Sequence, residues 1–196
     1  MVFLIGLMGL GMYFLLNSDV FKIPSIGVIG NKTLSKDDII SSSEIGKDEN
    51  IFRIKKSQVK NSIENLPYIK EIEIKREFPD RIIIKVTERE ESLMIQNISS
   101  YFIADNEGYI LKQIDEIDDD LLLIRGINIR NLSLGANAFE EIDKEEIIDL
   151  IENGGKLGIL KVVKEIDLEK IDDVNIQLTN GIDIAFGTLD NVNYKL

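Results

Sequence analysis

The chain contains no cysteine and no histidine. Without cysteine it has no disulfide, no thiolate nucleophile and no thiolate ligand for zinc. Without histidine it has no imidazole to act as a general acid or base, so most hydrolase mechanisms lose their central residue. The sequence therefore predicts no cofactor, no metal site and no enzyme activity. Missing thiols are compatible with either side of a membrane.

Proline and glycine are scarce, with 3 and 14 residues in a chain of 196. Apolar residues make up 44% of the chain and charged residues 30%, which is typical of a folded protein rather than a disordered or fibrous one. Domains commonly contain about 100 to 150 residues, so this length predicts one or two small domains. We favour two.

Clustered basic charge is also missing. The net charge is −12, and it is unevenly distributed: residues 22–90 carry 14 basic and 12 acidic side chains, whereas residues 91–196 carry 9 and 22. A nucleic-acid surface needs Lys and Arg arranged to neutralise phosphates, and the sequence contains no such stripe. Nucleic acid is therefore excluded as an expected partner.

One long hydrophobic run, MVFLIGLMGLGMYFLL, opens the chain. It has no charged residue before Asp19, and we interpret residues 1–18 as a transmembrane anchor, short for a hydrocarbon core of about 30 Å. A signal-peptide core and a buried helix are the alternatives, but the run has no basic start, no cleavage site and no polar face. A chain that begins inside its apolar run is expected to be clipped there. Lys22 alone does not set the topology.

Residues 21–90 alternate between strand and helix patterns. A strand is predicted over Phe21–Ile29, and Ser35 is predicted to cap a helix of about two turns. A second helix follows from Lys56 to Leu66, where Pro67 stops it. The last two predicted elements are strands over Ile69–Phe78 and Arg81–Glu88, joined by Pro79 and Asp80. This strand-helix-helix-strand-strand order predicts a small α+β domain.

Five short motifs in this region resemble a known family. They are FKIPSIGVIGNKTLS from Phe21, ENIF around Asn50, LPYIK over residues 66–70, REFPD over residues 76–80 and VTERE over residues 86–90. Their order and spacing resemble a POTRA domain, and in particular that of the FtsQ/DivIB cell division proteins. The resemblance implies a βααββ POTRA domain at residues 21–90.

The second half, residues 91–196, is similar to the β domain of the same family. We predict a mainly antiparallel β domain with one or two helices, in which Asn180-Gly181 is a strong hairpin signal. The predicted elements are a hairpin over Tyr101–Leu111, a helix over Glu140–Glu152 ended by Gly154 and Gly155, and strands over Leu121–Ile127, Val162–Leu168, Val174–Leu178 and Ile182–Phe186. The family continues with a further helix, begun here at Leu189, and a last strand, so we expect the C-terminal end of the domain to be missing.

The resemblance implies a function in septum assembly. It predicts a single-pass protein of the cell membrane, with its soluble part outside the cytoplasm at the division septum, acting as a scaffold without catalytic activity or a small-molecule substrate. The expected partners are division proteins of the FtsL and FtsB/DivIC type, bound by strand addition to an exposed sheet edge. The candidate edge residues are Ile182, Asp183, Ile184, Ala185 and Phe186.

The sequence leaves two alternative functions. A POTRA-type chaperone or receptor module of a membrane transport system would belong beside a β-barrel, for which residues 91–196 offer too few alternating strands. A hydrolase with two carboxylates is the other alternative, because 35 acidic residues always allow some close pair. The acidic run Asp115–Asp120 lacks the spacing of a calcium loop and is interpreted as a solvated loop.

Overall fold

A computed structural model of the chain describes residues 1–98, 100–127, 133–140, 144–190 and 195. The chain divides into two compact units, Met1–Glu88 and Arg89–Leu196. The first begins with helix α1 (Val2–Leu16), in which all side chains are exposed. Among the residues described, no helix is both long enough and apolar enough to cross a membrane.

The first unit forms a three-stranded sheet with two further helices. Its elements after α1 are a 3₁₀ turn (Asp19–Phe21), β1 (Ile26–Ile29), α2 (Lys36–Ser42), α3 (Lys56–Glu64), β2 (Ile69–Glu77) and β3 (Arg81–Glu88). The strand order is β1-β3-β2, with β1 parallel and β2 antiparallel to β3. The βααββ order predicted from the sequence is confirmed.

Local signals account for most of these elements. The Ser35 hydroxyl accepts a hydrogen bond from the Asp38 N–H at 3.0 Å and caps α2, as predicted. Val59 and Ile63 place one face of α3 in the core, together with Ile82 and Ile84 of the central strand β3. This face has the four-residue spacing of an amphipathic helix.

The first predicted strand is too long. Only Ile26–Ile29 pairs with β3, whereas Phe21 accepts a backbone hydrogen bond from Ile51 at 2.9 Å. Pro24 lies between these two stretches and has no N–H to donate to a ladder. The prediction of a strand from Phe21 is therefore wrong for its first five residues.

The second unit is built on one seven-stranded sheet. Its elements are β4 (Leu93–Asn97), β5 (Ser100–Ala104), β6 (Ile110–Ile114), β7 (Leu122–Arg125), α4 (Lys144–Lys156), a 3₁₀ turn (Ile159–Val162), β8 (Val163–Asp167), β9 (Val174–Leu178) and β10 (Asp183–Gly187). The order is β10-β9-β8-β7-β4-β5-β6. The β4–β7 and β7–β8 pairs are parallel and the other pairs antiparallel, so the sheet is mainly antiparallel as predicted.

The core of the second unit lies between one face of this sheet and α4. Ile147, Leu150 and Ile151 of α4 are buried there with residues from every strand except the outer β10 strand, whose Phe186 packs at the margin. A smaller apolar cluster of Met94, Ile103 and Leu123 lies on the other face. The central strands are therefore apolar on both faces.

Helix α4 and strand β4 differ from the sequence prediction. Gly154 and Gly155 do not end α4, which continues to Lys156; the Leu160 side chain packs against Gly154, at 3.0 Å from where a Cβ would lie. Strand β4 was not predicted at all. Residues 141–143, near the predicted start of α4, and residues 191–194 and 196, where a further helix is predicted, lie outside the described residues.

Candidate functional site

The candidate site is the outer strand β10, which a tight hairpin connects to β9. Gly181 has φ +83°, a left-handed conformation that glycine adopts without strain. Its N–H donates to the Leu178 carbonyl at 2.9 Å, and the Asn180 side chain accepts from the Ile182 N–H at 3.1 Å. The hairpin predicted from Asn180-Gly181 is therefore confirmed, and it places β10 at the end of the sheet.

The open side of β10 presents backbone hydrogen-bonding groups. Leu178 N–H donates to the Ile182 carbonyl at 2.8 Å, so these residues form a hydrogen-bonded pair of the ladder. Such pairs alternate along an antiparallel ladder, which makes Ile184 the next residue to bond to β9. The backbone N–H and C=O groups of Asp183 and Ala185 consequently point away from β9. No strand in the described part of the chain pairs with β10 on that side.

The side chains of β10 extend the apolar face of the sheet without cover. Ile184 lies opposite the buried Ile176, so it projects from the core face, and Ile182 projects from the same face two residues earlier. Even so, Ile182 and Ile184 are 54% and 40% exposed. Phe186 is half-buried against the core. The apolar face that α4 covers at the centre of the sheet is thus uncovered at β10.

The opposite edge of the sheet, at β6, is partly closed by the chain itself. We call residues 133–140 the covering segment. Gly135 N–H donates to the Ile110 carbonyl at 2.7 Å, and Ile110 N–H donates to the Ala136 carbonyl at 2.9 Å. Phe139 of the same segment is fully buried in the core. Hydrogen bonds and a buried aromatic ring together hold the segment on β6.

A buried ionic cluster orders the turn between β5 and β6. Arg89 Nη1 lies 2.5 Å from Asp105 Oδ2 and 3.2 Å from Glu107 Oε2, and the guanidinium carbon lies 3.6 Å from the centre of the Tyr109 ring. Asp105 Oδ1 also accepts the N–H groups of Glu107 and Tyr109. Because both oxygens of Asp105 are engaged, this carboxylate serves the turn. This cluster was not predicted, although Asp105 lies in the predicted hairpin Tyr101–Leu111.

An open cavity of about 560 Å³ lies at the carboxyl ends of β4, β7 and β8. Its lining includes Arg125, whose guanidinium lies 2.7 Å from Glu165 and 3.2 Å from Asp167 across neighbouring strands. The positive charge that Arg125 brings to the cavity is therefore paired with the carboxylates of Glu165 and Asp167. Within the described residues, no group of three or more acidic side chains is placed to hold a metal ion.

Known proteins resemble this chain over most of its length. Residues 21–89 match the family model for the FtsQ-type POTRA domain. Over 185 residues the chain is 30% identical to cell division protein DivIB of Clostridium tetani, an alignment that covers 90% of this chain and 67% of that protein. The chain belongs to the DivIB/FtsQ family of cell division proteins.

Proteins named FtsQ and proteins named DivIB are both similar to this chain. Cell division protein FtsQ of Syntrophotalea carbinolica is 28% identical over 183 residues, covering 91% of this chain and 64% of the relative. A solved structure of the major extracytoplasmic domain of DivIB from Geobacillus stearothermophilus overlaps with a TM-score of 0.38 and 15% identity, over 56% of this chain and 86% of that one. That overlap is too low to establish a common fold.

The residues predicted for partner binding lie together in this DivIB/FtsQ chain. Four of them belong to β10 and the fifth directly precedes it: Asp183, Ile184, Ala185, Phe186 and Ile182. These residues were predicted to lie at a sheet edge, and β10 is an outer strand of the seven-stranded sheet. Their role in binding stays a prediction.

Proposed function

We propose that this chain is a non-catalytic binding protein of the bacterial division assembly and that β10 holds a partner by strand addition. The observation that carries the proposal is the uncovered apolar edge. A strand laid along β10 would bond to the outward groups of Asp183 and Ala185 and cover Ile182 and Ile184. Membership of the DivIB/FtsQ family supports the division process.

The proposed partners are septal division proteins of the FtsL and FtsB/DivIC type. The edge favours a segment with apolar side chains at alternate positions, because only one face of an added strand would cover Ile182 and Ile184. Residues 91–196 carry 22 acidic against 9 basic side chains, so basic groups beside that segment would speed its association. Neither nucleic acid nor a small-molecule substrate is part of this proposal.

We propose that α1 anchors the chain in the cell membrane as a single pass, with the soluble part of the chain outside the cytoplasm at the division septum. The proposed limits are residues 1–18 for the anchor, 21–90 for the POTRA domain and 91–196 for the β domain. Helix α1 has no charged residue and no buried side chain. Its 15 residues extend about 22 Å, which is most of the thickness of a bilayer core of about 30 Å. In a membrane, lipid would cover the apolar side chains that the protein itself does not bury.

The proposal includes no catalytic step and no cofactor. The sequence contains neither cysteine nor histidine, and the buried carboxylate of Asp105 is bonded to Arg89 and to backbone N–H groups. These observations support a protein that acts by binding rather than by proton transfer or nucleophilic attack.

The decisive test is Ala185→Pro, with Ala185→Ser as its matched control. Proline removes an N–H that points away from β9, and its ring occupies the place of the added strand; such a substitution is tolerated on an edge. Losing one hydrogen bond costs about 1 kcal/mol, so with the added clash we expect at least about tenfold weaker partner binding. The serine control keeps the N–H and should bind normally.

The measurement is co-purification of the FtsL-type and FtsB/DivIC-type proteins with the full chain from membranes after cross-linking. Thermal unfolding of both variants should match that of the parent chain, which excludes misfolding as the cause. Normal co-purification with Ala185→Pro would contradict strand addition at β10. A fluorescent fusion that labels the membrane of dividing cells uniformly, without concentrating at midcell, would contradict the division role.

A further inference from the structure

Three phenylalanine side chains of the first unit form a cluster outside its core. The Phe21 and Phe52 ring centres are 4.9 Å apart and meet edge to face, and the Phe52 and Phe78 rings stack at 5.4 Å. Phe52 and Phe78 are 42% and 60% exposed, and the neighbouring Val20 is 61% exposed. We call Val20, Phe21, Phe52 and Phe78 the aromatic patch.

The patch extends outward from the core of the first unit. Phe21 packs against the buried cluster, and Phe52 and Phe78 follow ring on ring while remaining exposed. Exposed apolar side chains that stand singly need no explanation, but a contiguous group with two open aromatic rings marks a surface that is covered in use. The question is which surface covers it.

The loop that carries Phe52 also binds the end of α1. Asn50 Nδ2 donates to the Leu16 carbonyl, the last residue of the helix, at 2.8 Å. Arg53 Nη2 donates to Asn17 Oδ1 at 3.0 Å. Phe52 lies between these two anchoring residues in the sequence. The aromatic patch is therefore held at the place where the fully apolar helix joins the rest of the first unit.

We infer that the aromatic patch lies in the membrane-water interface, against the lipid headgroups and the upper acyl chains, when α1 is in the bilayer. This inference rests on the proposed anchoring by α1. Interfacial protein segments bury Phe and Leu side chains about 5 to 10 Å into the boundary between headgroups and acyl chains. The hydrogen bonds from Asn50 and Arg53 keep the patch within reach of the interface. The protein would then touch the membrane through both the helix and the patch.

Charge does not drive this contact. Lys22 Nζ lies 2.6 Å from Asp19 Oδ1, and its hydrogen bond and charge lower the pKa of the Asp19 carboxyl and raise the pKa of the Lys22 amine. Both groups therefore stay ionised and offset each other. Arg53 keeps its positive charge while it donates to Asn17, so anionic lipid would add to the attraction without being required. The burial of aromatic surface supplies the attraction, so a zwitterionic phosphatidylcholine bilayer suffices and added salt should not release the patch.

The chain contains no tryptophan, which allows single reporters at chosen positions. Phe52→Trp and Phe78→Trp place one in the patch. Ile29→Trp is the matched control, because Ile29 is 54% exposed and pairs with Lys85. Lys85 lies four residues along β3 from Arg81, the residue at which the turn that contains Phe78 ends. Because each strand residue adds about 3.3 Å, the control position is well separated from that turn.

The experiment uses the full chain reconstituted into phosphatidylcholine vesicles that contain lipids brominated near the top of the acyl chains. We expect the emission of Phe52→Trp and Phe78→Trp to shift to shorter wavelength and to be quenched by the brominated lipid, at low and high salt alike. The emission of Ile29→Trp should neither shift nor be quenched.

Three results would overturn the inference. If the chain stays on the vesicles while Phe52→Trp and Phe78→Trp are quenched no more than Ile29→Trp, the patch is not at the interface, although anchoring by α1 stands. If the chain does not stay on the vesicles, anchoring fails and the patch assignment fails with it. The last result is a tryptophan emission whose wavelength and quenching change with the protein-to-lipid ratio while the fraction of brominated lipid is constant. In that case a second copy of the chain, and not lipid, covers the patch.

Discussion

The two outer strands of the seven-stranded sheet end in opposite ways. At β6 the chain returns through the covering segment, which bonds to Ile110 and buries Phe139. At β10 no described strand follows, and Ile182 and Ile184 remain exposed on the core face. An edge strand with unpaired backbone groups can pair with a strand of another chain, and folded proteins usually cover or block such an edge. Within the described residues, the chain covers the β6 edge and leaves the β10 edge unpaired.

The two edges should therefore contribute differently to folding stability and to partner binding. Residues at the β6 edge are held by long-range contacts, so changing them should cost folding free energy. Residues at the β10 edge have few contacts to lose, so the same kind of change should cost little stability. Three matched pairs of substitutions test this comparison.

The largest difference is expected from truncating one apolar side chain at each edge. Phe139→Ala removes a fully buried ring and should destabilise the second unit by about 3 to 5 kcal/mol. Ile184→Ala removes a side chain that is already 40% exposed and should cost about 1 kcal/mol. Urea unfolding of the full chain measures both. Equal costs would show that the β10 edge is packed as tightly as the β6 edge.

A smaller difference is expected from adding one methyl group to a glycine beside each edge. Gly108 and Gly181 both have left-handed backbones, with φ +86° and +83°. A Cβ on Gly108 would overlap the Phe139 ring, whereas a Cβ on Gly181 would meet open space. Gly181→Ala should cost about 1 to 2 kcal/mol from the backbone alone, and Gly108→Ala about 3 kcal/mol or more.

Unfolding midpoints in urea give the ratio of these two costs. The additional destabilisation by Gly108→Ala is attributed to the Phe139 ring. In a Phe139→Ala background, Gly108→Ala should therefore destabilise the chain only about as much as Gly181→Ala does. Persistence of the full penalty in that background would mean that the ring is not what Gly108 has to avoid.

The smallest difference is expected from the asparagine at each edge. Asn137 Nδ2 donates to the Glu107 carbonyl at 2.8 Å, and its Oδ1 accepts from Phe139 N–H at 2.9 Å. Asn137→Ala should therefore cost about 1 to 2 kcal/mol and speed hydrogen exchange of the Ile110 amide. Asn180→Ala loses one exposed hydrogen bond to the Ile182 N–H and should cost about 0.5 kcal/mol. Unchanged exchange at Ile110 after Asn137→Ala would contradict its role in holding the covering segment.

Local patterns predicted much of the fold. The Ser35 cap, the second helix and the Asn180-Gly181 hairpin all follow from residues close together in the chain, and all three are present. Strand β9 was predicted to the residue as Val174–Leu178. These elements depend on backbone preferences and on side-chain spacing, which a sequence displays directly.

Strand β4 shows why other elements could not be predicted. Leu93, Met94 and Ile95 are consecutive apolar residues without the alternation that marks a half-buried strand. In the structure Leu93 and Ile95 face the main core and Met94 faces the smaller cluster on the other side. Burial on both faces depends on the strands beside β4 and removes the local signal.

The aromatic patch was missed for a related reason. Phe21, Phe52 and Phe78 are separated by more than twenty residues at each step and share no sequence motif. Only the fold brings their rings within about 5 Å of each other. The same holds for Arg89 and Asp105, whose charges meet because β5 and β6 turn beside the start of the second unit.

By itself the sequence determined the apolar N-terminal helix, the βααββ order, the hairpin that leads to β10 and the family resemblance, because each depends on neighbouring residues or on short motifs. Only the tertiary structure decided that the β6 edge is covered and that β10 pairs, among the described strands, with β9 alone. The covering segment reaches Ile110 from about 25 residues further along the chain, through backbone hydrogen bonds that any sequence could make. Which backbone groups meet across such a distance is set by packing of the whole unit, here by burial of Phe139.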